Sequence, residues 1–239
     1  MLLLDIEGTT TPIDFVYKTL FPYASRHVES FLREFVAEPE VVAIVAALKA
    51  QNQKDAEAGL QPPGWGDEDD EELFDCVAGY VRWLIARDSK CTALKSLQGK
   101  IWQRGFANGE LHGEVYADVP RALARWRGQQ REICIYSSGS VLAQRQLFGT
   151  VRSGDLMPQL SGFFDTQTGN KTAPQSYGKI AASLGREPRE VLFVSDALKE
   201  VEAARSAGMH AVLCDRGAQP VVARGSSEVI HTFDEIFPR

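Results

Sequence analysis

The sequence predicts an α/β fold, a doubly wound, mostly parallel sheet interrupted by an inserted all-helical domain. Three observations predict it. In the second half of the chain, short apolar segments alternate with helical periodicity, and they lack the in–out alternation of a sheet with one wet face. After the first apolar segment, roughly a hundred residues show helical periodicity alone, whereas a crossover between parallel strands needs only about a dozen. The 239 residues also overfill one domain of about 150 residues without supplying two.

The elements follow in order. A first strand is expected at Met1–Ile6. Helical periodicity then runs through Phe15–Val36 (broken near Pro22), Pro39–Gln53, Asp69–Arg87 and Thr92–Gly105. Between the second and third of these, Gly59–Gly66 (GLQPPGWG) reads as a surface loop. The six acids of Asp67–Glu72 come next, at a helix N-terminus whose dipole favours them, and read as a solvated face without a catalytic part. Further strands are expected at Glu132–Ser137, Val191–Ser195 and Ala211–Cys214, with Val229–Thr232 a candidate fifth. The helices among them are Pro120–Gln130, Val141–Phe148, Pro174–Leu184 and Leu198–Ala207, the last stopped by Gly208. The division is therefore 1–15 with 116–239 for the sheet and 16–115 for the helices.

Composition excludes several classes. Hydrophobic residues make up 44% and charged ones 24%, the balance of a folded globular protein. The net charge is −6, and five of those six excess negatives lie in 16–115. No basic surplus is left for a nucleic-acid backbone or an anionic lipid surface. The longest apolar run, Val41–Leu48, is far short of the ~20 residues of a membrane span. Met1–Leu4 stops at Asp5 without the basic start of a leader. The four cysteines are scattered, without a Cys-x-x-Cys, and read as reduced thiols of a cytoplasmic protein.

Ligands of open α/β sheets sit beyond the carboxyl ends of the strands, and those ends are polar here. The first strand runs out into Asp5-Ile6-Glu7-Gly8-Thr9-Thr10, the second into Ser137-Ser138-Gly139-Ser140, the third into Ser195-Asp196 with Glu200 one turn on. Lys171 stands just before the Pro174 helix. Asp5 and Asp196 offer hard oxygens that suit Mg²⁺. A strand-tip carboxylate can also attack phosphorus and form an aspartyl-phosphate. Glu7, two residues on in an extended segment, shares a side with Asp5 and can protonate a leaving oxygen, then deprotonate a water. Ser137 and Ser138, with the N–H groups opening the next helix, can donate to phosphoryl oxygens. Lys171 supplies a positive charge against the phosphate and nucleophile, and Gly8 lets the chain turn sharply away.

Those residues, in that order, resemble the four motifs of the haloacid-dehalogenase superfamily of aspartate-nucleophile phosphatases: Asp5-Ile6-Glu7-Gly8-Thr9, Ser137, Lys171, and Asp196 with Glu200. Lys171–Gly185 and Val191–Met209 are similar to the family throughout, and the helical insert resembles its cap domain. Glu7 and Glu200 stand where most members have Asp. With Asp5–Ile13 (DIEGTTTPI), Ala93–Trp102, Ile135–Leu147 and Phe163–Lys171, they resemble one branch, the enolase-phosphatases of methionine salvage. The resemblance implies a monomer that enolises 2,3-diketo-5-methylthiopentyl-1-phosphate and hydrolyses it to acireductone and phosphate. It implies one Mg²⁺ among Asp5, Glu7 and Asp196, with Ser137, Ser138 and Lys171 on the phosphate. Direct metal ligation and acid–base work remain alternatives for Glu7, the second favoured by its chemistry, and Glu7 or Lys171 would be the enolisation base. The alternative is a capped phosphatase of another small phosphometabolite.

Other classes fit worse. No Gly-x-Ser-x-Gly surrounds Ser138, and no Gly-x-Gly-x-x-Gly follows a strand, so serine-hydrolase and dinucleotide chemistry lack their signatures. His27, His112, His210 and His231 lie away from the strand ends and read as surface or packing residues. Of the four tryptophans, read mainly as packing, Trp102 is the one best placed to face substrate.

Overall fold

Leu2, Leu3 and Leu4 are fully buried and form the first strand. An unbroken leucine run suits a strand covered on both faces. The computed structural model describes residues 1–65, 70–89, 91–217 and 228–239. In chain order, β1 (Leu2–Leu4) leads to a short helix α1 (Ile13–Phe15) and a π-helical turn (Val16–Leu20). Then come α2 (Phe21–Phe35), α3 (Pro39–Glu57), α4 (Asp70–Ala86) and α5 (Thr92–Ala107). The alternating part follows as α6 (Val119–Gly128), β2 (Ile133–Tyr136), α7 (Val141–Gly149), β3 (Gly162–Phe164) and α8 (Pro174–Ser183). It closes with β4 (Leu192–Ser195), α9 (Leu198–Ser206), β5 (His210–Cys214) and β6 (Val229–Ile230).

The chain divides into two units, Met1–Phe15 with Leu111–Arg239, and Val16–Glu110. Residues 111–115, which the sequence pattern groups with the helices, fall in the first unit. There the Gly113 N–H meets the Thr150 carbonyl at 3.2 Å and its hydroxyl at 3.0 Å.

In the first unit the sheet order is β3-β2-β1-β4-β5-β6, and all five ladders are parallel. Leu3 faces Cys134 on one side and Phe193 on the other. The order reverses beside β1, so the ends of β1 and β4 flank the place where such sheets bind ligands. The strand β3 was not expected from the sequence. It has three residues, all half-buried and opening on Gly162, so no buried apolar run marks it as one marks β1. The expected Met1–Ile6 shortens at its far end because the Ile6 carbonyl accepts the N–H groups of Thr9, Thr10 and Thr11 at 2.9–3.1 Å, closing a turn. Tyr177 of α8 packs edge-on against Tyr136 and Phe193, with ring centroids 5.6 and 5.0 Å away. At the end of the chain, the buried Trp126 of α6 donates its indole N–H to the Ile236 carbonyl at 2.9 Å and packs against Phe233.

In the second unit, α2 and α3 each pack on both α4 and α5. Val28, Leu32, Leu48, Val81 and Leu97 are fully buried there. The expected break near Pro22 lies upstream of it, in the π-helical turn. Pro22 itself sits in the first turn of α2, where its missing N–H costs nothing. Trp102 gives its N–H to the Leu20 carbonyl at 2.8 Å and stacks on Phe21. The acidic run enters α4 at Asp70, and its part at 67–69 lies outside the described residues. No described helix is long and apolar enough to cross a membrane. Among the described residues no disulfide joins the cysteines, and burial pushes the Cys134 and Cys214 thiols up to about 11 and about 12.

Candidate active site

Asp5 follows β1 directly, and its N–H extends the ladder to the Val194 carbonyl at 2.9 Å. The chain then doubles back. Gly8 N–H reaches the Thr11 carbonyl at 2.8 Å, and the Thr10 hydroxyl reaches the Asp5 carbonyl at 3.1 Å. Gly8 has φ 72°, and a Cβ there would lie 2.1 Å from Asp196 Oδ2. Only glycine combines that left-handed backbone with that approach. The Thr9 hydroxyl accepts the Asp196 N–H at 2.9 Å and donates to Asp5 Oδ2 at 3.3 Å. One hydroxyl thus links the ends of β1 and β4.

Lys171 is only 6% exposed. Its Nζ lies 2.5 Å from Asp5 Oδ1 and 2.6 Å from Glu200 Oε2. Tyr177, in the first turn of α8, donates its hydroxyl to the Lys171 carbonyl at 2.6 Å and fixes the backbone behind the ammonium. Ser195 Oγ, at the end of β4, stands 2.9 Å from Glu200 Oε2 and 3.3 Å from Asp5 Oδ2, and accepts the Ala197 N–H at 3.1 Å. The buried Asp5, Lys171 and Ser195 and the half-buried Glu200 form one cluster.

The charges do not balance. Burial alone would push the Lys171 ammonium down, but Asp5 and Glu200 outweigh it and hold the lysine above its ordinary value. Burial, then the charge of Asp5, raises the Glu200 carboxyl against the pull of Lys171. Asp196 is pushed up to about 7 by burial, with Asp5, Glu200 and Glu7 adding to the rise and Lys171 opposing it. Four carboxylates and one lysine leave this crevice with surplus negative charge. Among the described residues, no three His, Cys, Asp or Glu side chains close into a metal cage. A Mg²⁺ that keeps several waters asks only for one or two carboxylates.

The remaining expected residues lie around this cluster. Ser137 is buried at the end of β2, and its Oγ accepts the Gly139 N–H at 3.1 Å, leaving its own proton to donate. Ser138 is exposed, as is Glu7 at the start of the turn. The entry to α7 is capped by Ser140 Oγ on the Ala143 N–H and by Asp165 Oδ2 on the Val141 N–H, both at 3.3 Å. None of the four histidines joins the cluster through a contact among the described residues; His27, for example, stacks on Tyr23. Thr9, Ser195, Asp165 and Arg216 have no role in the sequence reading. Thr9 and Ser195 adjoin the carboxylates, which is a usable signal. Arg216 has none, since it meets Thr9 only through the sheet order.

A family model for haloacid dehalogenase-like hydrolases matches residues 1–208. An enolase-phosphatase E1 from Synechococcus elongatus is 50% identical over 235 residues, covering 98% of this chain and 96% of that protein. The chain belongs to the enolase-phosphatase E1 group of the haloacid dehalogenase-like hydrolases. An enolase-phosphatase E1 from Drosophila simulans is 46% identical, covering 98% of this chain and 91% of that one. The solved UTR4 protein of Saccharomyces cerevisiae superposes with a TM-score of 0.75 at 33% identity, covering 99% of both chains. A dehalogenase structure at 16% identity and a TM-score of 0.56 shares the fold alone. Membership of this group makes the chain an enzyme of phosphatase type.

Proposed function

We propose that this chain converts 2,3-diketo-5-methylthiopentyl-1-phosphate, through its enol phosphate, to acireductone (1,2-dihydroxy-3-keto-5-methylthiopentene) and phosphate, in methionine salvage. The observation that carries the chemistry is Asp5 held between the Lys171 ammonium and the Thr9 and Ser195 hydroxyls where the sheet order reverses. The inserted helical unit serves as the cap.

Magnesium fits the crevice, because its surplus negative charge lies on hard carboxylate oxygens. Asp5 and Asp196 would hold it; ligation by Glu7 is the alternative to its acid–base work. When bound, the ion would polarise the diketone and offset charge on the phosphoryl oxygens. The chain's own residues do the rest. Two carboxylates hold Lys171 as a cation, which suits charge stabilisation and leaves Glu7 as the base. Glu7 removes a proton from the carbon bearing the phosphate ester, and solvent water supplies a proton to the neighbouring carbonyl oxygen as the enol forms. Ser137, Ser138 and the N–H groups opening α7 hold the phosphate. An Asp5 oxygen then attacks phosphorus, the bond to the enol oxygen breaks, and Glu7 protonates the leaving oxygen. Water attacks the aspartyl-phosphate and yields its proton to Glu7, which returns it to solvent, so phosphate departs and the Asp5 and Glu7 carboxylates are restored.

Substrate profiling tests this with purified protein and Mg²⁺. The diketo-phosphate should exceed phosphoglycolate and sugar phosphates in kcat/KM by at least about tenfold. The reverse preference would make the chain a phosphatase of another metabolite.

A further inference from the structure

We propose, on the reading of Asp5 as nucleophile, that Arg216 is a positioning residue that holds Asp5 through the Thr9 carbonyl. Arg216 lies two residues past β5, and its side chain is 5% exposed. Its Nε and Nη2 both donate to one acceptor, the Thr9 carbonyl, at 3.0 and 2.8 Å. Its Nη1 donates to Asp118 Oδ2 at 2.7 Å and to the His231 carbonyl at 3.3 Å. The rings of Tyr116 and Phe233 lie 4.5 and 4.6 Å from the guanidinium carbon. Acceptors on two edges and rings against it leave the planar fork one orientation. Asp118 is fixed in turn by the Phe233 N–H at 2.7 Å and the Thr232 hydroxyl at 3.0 Å.

Pairing with Asp118 would satisfy a merely structural arginine. The two further N–H groups aimed at Thr9 are what the catalytic turn uses. Tyr116, whose ring packs on Arg216, adds its own N–H to the Thr10 carbonyl at 3.0 Å, so successive carbonyls of the turn are held. The held residue carries the hydroxyl between the Asp196 N–H and Asp5 Oδ2. A shift of the Thr9 backbone breaks one of those bonds and releases the Asp5 carboxylate from its aim.

The test compares Arg216→Lys, Arg216→Ala, Arg125→Gln and Asp5→Asn with wild type for kcat and KM on the diketo-phosphate and for melting temperature. Arg216→Lys keeps a charge beside Asp118 and should regain most of the stability lost in Arg216→Ala. An ammonium cannot serve Asp118 while placing two N–H groups on Thr9, so its kcat should stay roughly 10–100-fold low, with KM within about threefold. Among the described residues the Arg125 side chain hydrogen-bonds only the C-terminal segment Phe233–Phe237, and its glutamine variant should melt lower with kcat within about twofold of wild type. A wild-type kcat in Arg216→Lys, or a kcat that simply follows melting temperature across the arginine variants, would overturn the proposal. If Arg216→Ala does not fold, the lysine variant decides alone. Phosphate release retained by Asp5→Asn would refute the nucleophile itself, and the role of Arg216 with it.

Discussion

At Gly8 the backbone leaves no room for a side chain, since any Cβ would lie 2.1 Å from the Asp196 carboxylate at φ 72°. Gly8→Ala should therefore cost about 1–3 kcal/mol in a urea melt and lower kcat about tenfold or more, by displacing Asp196. A variant with unchanged stability and rate would show that the approach is not tight. Asp5→Asn keeps the volume and removes the proposed nucleophile. Phosphate release should fall by at least about 10³-fold while the fold persists, as judged by circular dichroism and steady-state kinetics. The acids and lysine of this site are legible in the sequence because ligands gather at strand ends and charged groups there are few. Arg216 is not legible, because its partner Thr9 is 207 positions away and only the fold brings them together.

Elements show the same contrast. A strand of three residues announces itself by texture where it is fully buried and apolar, as β1 is, whereas β3 is half-buried and the Val16–Leu20 turn is irregular. The joint among the start of α6, the end of β5 and the C-terminal segment is tertiary, and it turns on Asp118. Burial would raise the Asp118 carboxyl, but hydrogen bonds from Arg216, the Phe233 N–H and Thr232 hold it below its ordinary value. Its folded pKa is thus lower than its unfolded one. The stabilisation is complete above about pH 4 and is lost as pH falls through the folded value. Asp118→Asn leaves the Arg216 charge buried and unmatched, which should cost about 3–5 kcal/mol at pH 7. The variant should also flatten the stability profile between about pH 5 and pH 3. Urea midpoints at several pH values check both, and parallel profiles for variant and wild type would refute the assignment.

For the whole molecule, the division of charge matters more than its sum. The helical insert holds most of the excess acidity, so net charge does not draw in an anionic substrate. On the proposed function, recruitment is local, by Lys171 and a bound Mg²⁺. A chelator should abolish activity and Mg²⁺ should restore it. Mg²⁺ should also raise the melting temperature of wild type, and raise it less in Asp196→Asn. Equal shifts in both proteins would remove Asp196 from the metal site. The most direct measurement follows both products in one anaerobic reaction of the purified chain with the diketo-phosphate and Mg²⁺. Phosphate and the acireductone absorbance should appear together in equal amounts; phosphate released without that absorbance would contradict the enolase step.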